Sequence, residues 1–136
     1  DETIKYTGKP VEQSTHARYR VETGKEIEQM LIEELASLVG CVPNRIKRQG
    51  AFWHPPGSYT QWNVKPNFPG WRVYFTYADR PNESFIRWME EGAVRTSNDT
   101  GFDLRMFYAG DKSSEFWSAI YAGKSHRLTV GFNVLS

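Results

Sequence analysis

Apolar residues recur along this chain at two different periods, and the period changes near residue 50. Before that point Ile27, Met30, Leu31, Leu35 and Leu38 fall at helical spacing on one stripe, with Glu28, Glu33 and Glu34 expected to face water. This pattern predicts an amphipathic helix over 25–39. Thr23-Gly24-Lys25-Glu26 reads as a capping box at its start and Gly40 as its stop. After residue 50 the period is two. Val73, Phe75 and Tyr77 alternate with Arg72, Tyr74 and Thr76, and Phe102, Leu104, Met106 and Tyr108 alternate with Asp103, Arg105 and Phe107. Further strands are expected over 84–89, 93–96, 116–121 and 127–134, the last with Leu128, Val130, Phe132 and Val134 on one face.

Turn signals separate these strands: 79–82, Glu91-Gly92, 98–101 and Gly110-Asp111. Short strands at regular spacing argue for an antiparallel two-sheet jelly roll or barrel, with the helix packed outside one sheet. The stretch 52–75 organises the rest, with bends at Pro55-Pro56-Gly57 and Pro69-Gly70 around Trp62-Asn63. Residues 1–22 form a polar arm, expected to dock on its own domain or on a neighbouring subunit, and 23–136 form a single jelly-roll domain.

Composition narrows the function classes. The chain has 136 residues, 17 basic and 16 acidic, with a net charge of +1. No global field draws it to nucleic acid, and Arg45, Lys47 and Arg48 make only a small basic cluster, read as a solvated face. Cys41 is the single cysteine, which excludes an internal disulfide and a cysteine-based zinc site and fits a reducing interior. No apolar run approaches the ~20 residues of a membrane span, so a soluble protein is expected. The chain begins at Asp1 with neither methionine nor a signal-like segment, consistent with removal of an upstream piece.

Few residues stand out as chemistry on their own. His16 and His126 are expected at the surface, and His54, beside Pro55-Pro56, as a structural histidine bonded to backbone. A relocated metal site from His54, His126 and an acid has no His-x-Asp or His-x-x-x-His spacing behind it. Ser58 lacks the second glycine of a nucleophile elbow and reads as a turn residue. Trp53, Tyr59, Trp62 and Trp71 beside Arg72 read as packing rather than as a stacking platform for bases.

PPGSYTQW, PGWRVYFTY, SFIRW, FDLRMF, FWSAIY and HRLTVGF occur in this order after residue 50. In that order the segment resembles the small double-stranded β-helix oxygenases that use Fe(II) and 2-oxoglutarate, found in phage and bacterial genomes. The resemblance implies a facial triad of two histidines and a carboxylate. The corresponding positions here hold Asn63, Lys65 and Ser118. An ammonium at the middle position opposes a divalent ion: unit charges ~4 Å apart interact by about 4 kcal/mol at an effective dielectric of ~20, and a doubly charged ion by roughly twice that. The resemblance also implies that Arg127 and Thr129 grip a carboxylate, and that Tyr59, Trp62 and Trp117 line the pocket. An arginine simply paired with a nearby acid such as Asp103 is the competing reading.

The resulting expectation is a non-catalytic jelly-roll structural or binding protein without a cofactor, used as a virion component of capsid surface or tail, with protein partners or self-assembly through the arm. The alternative is a divergent dioxygenase that uses Fe(II) and 2-oxoglutarate with rearranged ligands. No membrane partner and no strong nucleic-acid signal are expected.

Overall fold

The computed structural model describes residues 15–64, 70–109 and 116–135. Lys65, Pro69, Gly110-Asp111 and residues 1–14 of the expected arm lie outside the described residues. The described elements are β1 (Thr15–His16), β2 (Tyr19–Arg20), α1 (Lys25–Val39), β3 (Ile46–His54), β4 (Tyr59–Val64), β5 (Gly70–Ala78), β6 (Phe85–Glu90), β7 (Ala93–Asn98), β8 (Phe102–Ala109), β9 (Trp117–Tyr121) and β10 (Arg127–Leu135).

Pairing is nested and antiparallel: β6 with β7, β5 with β8, β4 with β9 and β3 with β10. A long hairpin paired this way and rolled on itself sends its strands to two sheets. Their orders are β1-β4-β9-β6-β7, the first sheet, and β2-β3-β10-β5-β8, the second. The chain is therefore a mainly β jelly roll with one helix. The short strands β1 and β2 come from the expected arm, and each pairs within its own chain, on β4 and β3.

Alternation decides which side of each sheet is apolar, and the result places the main apolar clusters outside the barrel. On the second sheet Ile46, Val73 and Phe132 turn outward and pack under α1 against Leu35 and Ala36. Their in-between neighbours, among them Tyr74, Thr76, Arg127 and Thr129, line the space between the sheets. The first sheet repeats the pattern. Trp62, Phe85, Trp117 and Ala119 form one cluster, while Asn63, Ile86, Ser118 and Ile120 face the interior.

The helix occupies the expected span, and Gly40 closes it in the left-handed region at φ 75°. Its start differs from the expected capping box. Gly24 is the N-cap, its carbonyl accepting from the Glu28 N–H at 3.0 Å, and no side chain caps the helix. The apolar stripe is also used only in part: Leu35 is buried, whereas Ile27, Met30 and Leu38 are exposed. Helical spacing cannot tell how wide a strip of the helix its neighbour covers. Of the basic cluster, Arg45 and Lys47 are exposed as expected, whereas Arg48 is half-buried, lying 3.7 Å from Glu28 of α1 and donating to the Val21 carbonyl.

Candidate functional site

Between the two sheets lies a cavity of about 370 Å3. Two bulges shape it. On β4, Thr60 pairs with Ile120 and Asn63 with Ser118, so β4 spends one extra residue against β9. That extra residue turns both Thr60 and Asn63 inward, three positions apart, which a regular strand would not do. On β3 the extra residue is Gln49, opposite the step from Gly131 to Phe132, and Gln49 also reaches the cavity. Gly131 and Gly50 leave room for rings. A Cβ at Gly131 would stand 3.0 Å from Tyr74, and one at Gly50 2.9 Å from Phe52.

The chemistry of the lining is cationic. Arg18, Arg20, Arg105 and Arg127 line the cavity with His54, and no carboxylate occurs among the described lining residues. Arg127 and Arg105 are held from behind by Asp99, which is fully buried. Asp99 Oδ2 accepts from Arg127 Nε at 2.7 Å and from the Ser84 hydroxyl, and its Oδ1 accepts from Arg105 Nη1 at 2.7 Å. Burial alone would raise the Asp99 carboxyl. The Arg127 and Arg105 charges, with the hydrogen bonds from Arg127 and Ser84, outweigh it and hold the group below its ordinary value. Two guanidiniums share one carboxylate, so this network keeps a net positive charge.

Arg18 precedes β2 and Arg20 ends it, and both sit over the Phe52 ring, 4.3 and 5.5 Å from its centre. Partial burial, then the charge of Arg20, lower Arg18 from the ordinary guanidinium value. Tyr74 also lines the cavity, its hydroxyl raised above the ordinary value by burial.

The residues singled out from the sequence divide into three groups. Asn63 and Ser118 are cross-strand partners on the cavity wall, with the Asn63 amide donating to the Gln61 carbonyl at 2.9 Å and to the Ser118 carbonyl at 3.4 Å. Arg127 and Thr129 also meet there, Arg127 Nη1 donating to Thr129 Oγ1 at 2.8 Å. The acid behind Arg127 is Asp99 rather than Asp103, whose carboxylate instead accepts from the backbone and hydroxyl of Thr100. Tyr59, Trp62 and Trp117 do not line the cavity. They pack together on the other face of the first sheet, because Trp62 neighbours Asn63 and Trp117 neighbours Ser118, and adjacent strand residues point apart. Lys65 lies outside the described residues.

The histidines are separated in role. His54 is buried, as a structural histidine is, and its Nε2 lies 2.9 Å from Thr60 Oγ1. His126 is exposed, stacks on Trp53 and accepts from its indole N–H at 3.1 Å. Ser58 donates to the Pro55 carbonyl at 2.6 Å, as a turn residue does. Among the described residues no three of His, Cys, Asp and Glu stand close enough to hold a metal ion. An amide, a hydroxyl and surrounding guanidiniums are a poor donor set for Fe(II), whose sites favour imidazole and carboxylate. The described lining does not fit that metal.

Asp99 and Arg105 were not evident as site residues from sequence. Asp99 reads as a turn residue, and its partner Arg127 is 28 positions away. The available signal was the alternation itself: Arg105 and Arg127 both occupy the polar phase of long strands, where two inward arginines require a shared counter-charge.

No family model matches the chain, and no curated protein matches it. Among solved structures it is similar to a cupin domain from Bordetella pertussis Tohama I, at 15% identity and a TM-score of 0.44 over 68% of this chain and 83% of that one. It is similar to a predicted oxalate decarboxylase from Thermotoga maritima, at 11% identity and 0.44 over 88% and 79%. A cupin superfamily protein from Desulfitobacterium hafniense DCB-2 matches at 11% identity and 0.46 over 98% and 96%. The jelly-roll assignment rests on this chain's own strand order. Among the described residues, no helix is long and apolar enough to cross a membrane.

Proposed function

We propose that this domain is a non-catalytic binding protein, an oxygenase-like jelly roll without iron ligands, whose interior takes a small organic anion by its carboxylate. The carrying observation is the lining: four arginines and no carboxylate among the described residues around about 370 Å3. That volume sits near the lower end of the ~300–1,000 Å3 of small-molecule sites. A carboxylate ~4 Å from one guanidinium at an effective dielectric of ~20 gains about 4 kcal/mol of attraction. Guanidiniums suit the group because their planar fork pairs with both oxygens. Arg127 and Thr129 are the buried part of this lining, and Arg18 and Arg20 its exposed part.

A structural role in a phage particle draws no support from the described part of the arm, since residues 15–21 bond within their own chain. The dioxygenase alternative needs a metal that the described donor set does not fit.

Calorimetric titration with succinate, 2-oxoglutarate, inorganic phosphate and succinamide tests the reading. One-to-one binding of the carboxylates, weakened by salt and absent for succinamide, is expected, with affinity falling at least about tenfold in Arg18→Gln/Arg20→Gln. Phosphate binding tighter than either carboxylate would change the ligand class. Stoichiometric iron with release of succinate from 2-oxoglutarate would overturn the non-catalytic assignment.

A further inference from the structure

The outer face of the second sheet is apolar well beyond the area that α1 covers. Outward positions on β5, β8 and β10 are Trp71, Val73, Phe75, Tyr77, then Phe102, Leu104, Met106, Tyr108, then Leu128, Val130, Phe132, Val134, and none is charged. The helix lies over the β3 side and leaves β8 bare. Phe102 is 83% exposed and Tyr108 61%, with Trp71, Tyr77, Leu104 and Met106 between them also exposed. Aromatic contacts within the patch, Tyr77 with Phe102 at 4.8 Å and Trp71 with Tyr108 at 5.4 Å, hold it as one continuous surface.

Its size separates it from ordinary surface. Those six side chains expose on the order of 600 Å2, the upper end of what a monomer's largest patch usually shows. Leu38 of α1 borders Trp71 and Met106 and carries it to on the order of 700 Å2, near the roughly 800 Å2 per partner that a specific dimer buries. The edge adds a second argument. β8 is the outermost strand of its sheet, eight residues long and paired with β5 in unbroken register. It carries no lysine, proline or bulge; its charges, Asp103 and Arg105, lie in the inward phase and leave the outward side of the edge apolar.

We infer that this face is the interface of a homodimer, centred on β8 and completed by Leu38 of α1. The outward strand positions are apolar and uncharged and complement a second copy of themselves, as a two-fold interface requires. Residues 1–14 of the same chain are a poor cover: Asp1, Glu2, Lys5, Lys9 and Glu12 leave only Ile4, Tyr6 and Val11 as apolar surface. Arg18 and Arg20 line the cavity at β2, the opposite edge of the sheet from β8.

Sedimentation velocity of the full chain from about 1 to 200 µM, with circular dichroism as a check on folding, tests this. A dimer is expected. Phe102→Ser/Leu104→Lys should raise its dissociation constant at least about tenfold with an unchanged spectrum, and removal of residues 1–14 should leave it intact. Should the double variant fail to fold, Tyr108→Glu alone serves, with the same expected loss. A wild-type chain that is monomeric throughout would overturn the inference, as would a dimer insensitive to these β8 substitutions or one lost with residues 1–14. Carboxylate binding by a monomeric chain would leave the ligand proposal standing while removing this one.

Discussion

Asp99 holds two buried guanidiniums in place, and the consequences of removing it are asymmetric. If Arg105 is lost, Asp99 keeps Arg127; if Asp99 is lost, Arg127 is left buried and unpaired with Arg105 beside it. Breaking a buried ion pair from one side costs roughly 3–5 kcal/mol, because the remaining charge has no water to return to. Asp99→Ala should therefore lower unfolding free energy by about that amount, and Arg105→Ala by clearly less; equal losses in urea denaturation would contradict the shared-carboxylate arrangement. The pH dependence has a fixed sign. The folded Asp99 carboxyl lies below its ordinary 3.8, so its contribution is fully present above that value and disappears as pH falls through the lower folded value. Denaturant midpoints measured from pH 7 to 2 should drop at the acid end, and Asp99→Asn should flatten that limb. At this scale the sequence showed half of the site. Arg127 and Thr129 stood out together, but the acid that positions Arg127 sits in a turn and is identified only by tertiary pairing.

The turns between elements carry local strain that the strands on either side impose. Glu90 pairs with Ala93, so β6 and β7 are joined by the two residues Glu91 and Gly92, both at positive φ, 51° and 78°. This is the left-handed hairpin turn that matches strand twist, and its first position favours Asn or Gly. A glutamate there gives up roughly 1 kcal/mol of backbone energy, so Glu91→Asn should stabilise the protein by about 0.5–1 kcal/mol, readable as a higher denaturant midpoint. The opposite sign holds at Gly123. Its φ is 61°, and an added Cβ would lie 2.0 Å from the Glu83 carbonyl oxygen, so Gly123→Ala should cost at least about 2 kcal/mol in the same measurement. The long strands after residue 70, β5, β8 and β10, were legible because alternation survives in each of them. β4 and the first half of β3 were not, since a bulge interrupts the alternation in each and Pro55-Pro56-Gly57 draws attention to the turn. What alternation could not tell was which face is the inside. Val73, Phe75 and Phe132 look like interior residues, yet they meet α1, and the polar phase faces the cavity.

Placing the apolar clusters outside the barrel frees its interior from structural duty. Leu35, Val73 and Phe132 hold α1 to one sheet, and Trp62 and Trp117 pack on the far side of the other. The space between can therefore stay polar, open and positively charged without removing the burial that stabilises the fold. Such an interior repels itself, and the Arg18 and Arg20 guanidiniums over Phe52 are its least compensated part, because no carboxylate pairs with either among the described residues. A ligand that binds only the folded state stabilises it by about 2.7 kcal/mol at a hundredfold excess over its dissociation constant. For a chain of this size that shift corresponds to roughly 5–15 °C in Tm. Succinate should therefore raise Tm with a saturable dependence on concentration, whereas sodium chloride at equal ionic strength should not reproduce it. Arg18→Gln/Arg20→Gln should raise Tm without ligand, by relieving the repulsion, and lose most of the succinate response. A response to succinate that survives in this variant would move the anion's contacts to Arg105 and Arg127. An identical response to chloride would mean that the arginines gather counterions without selecting among them.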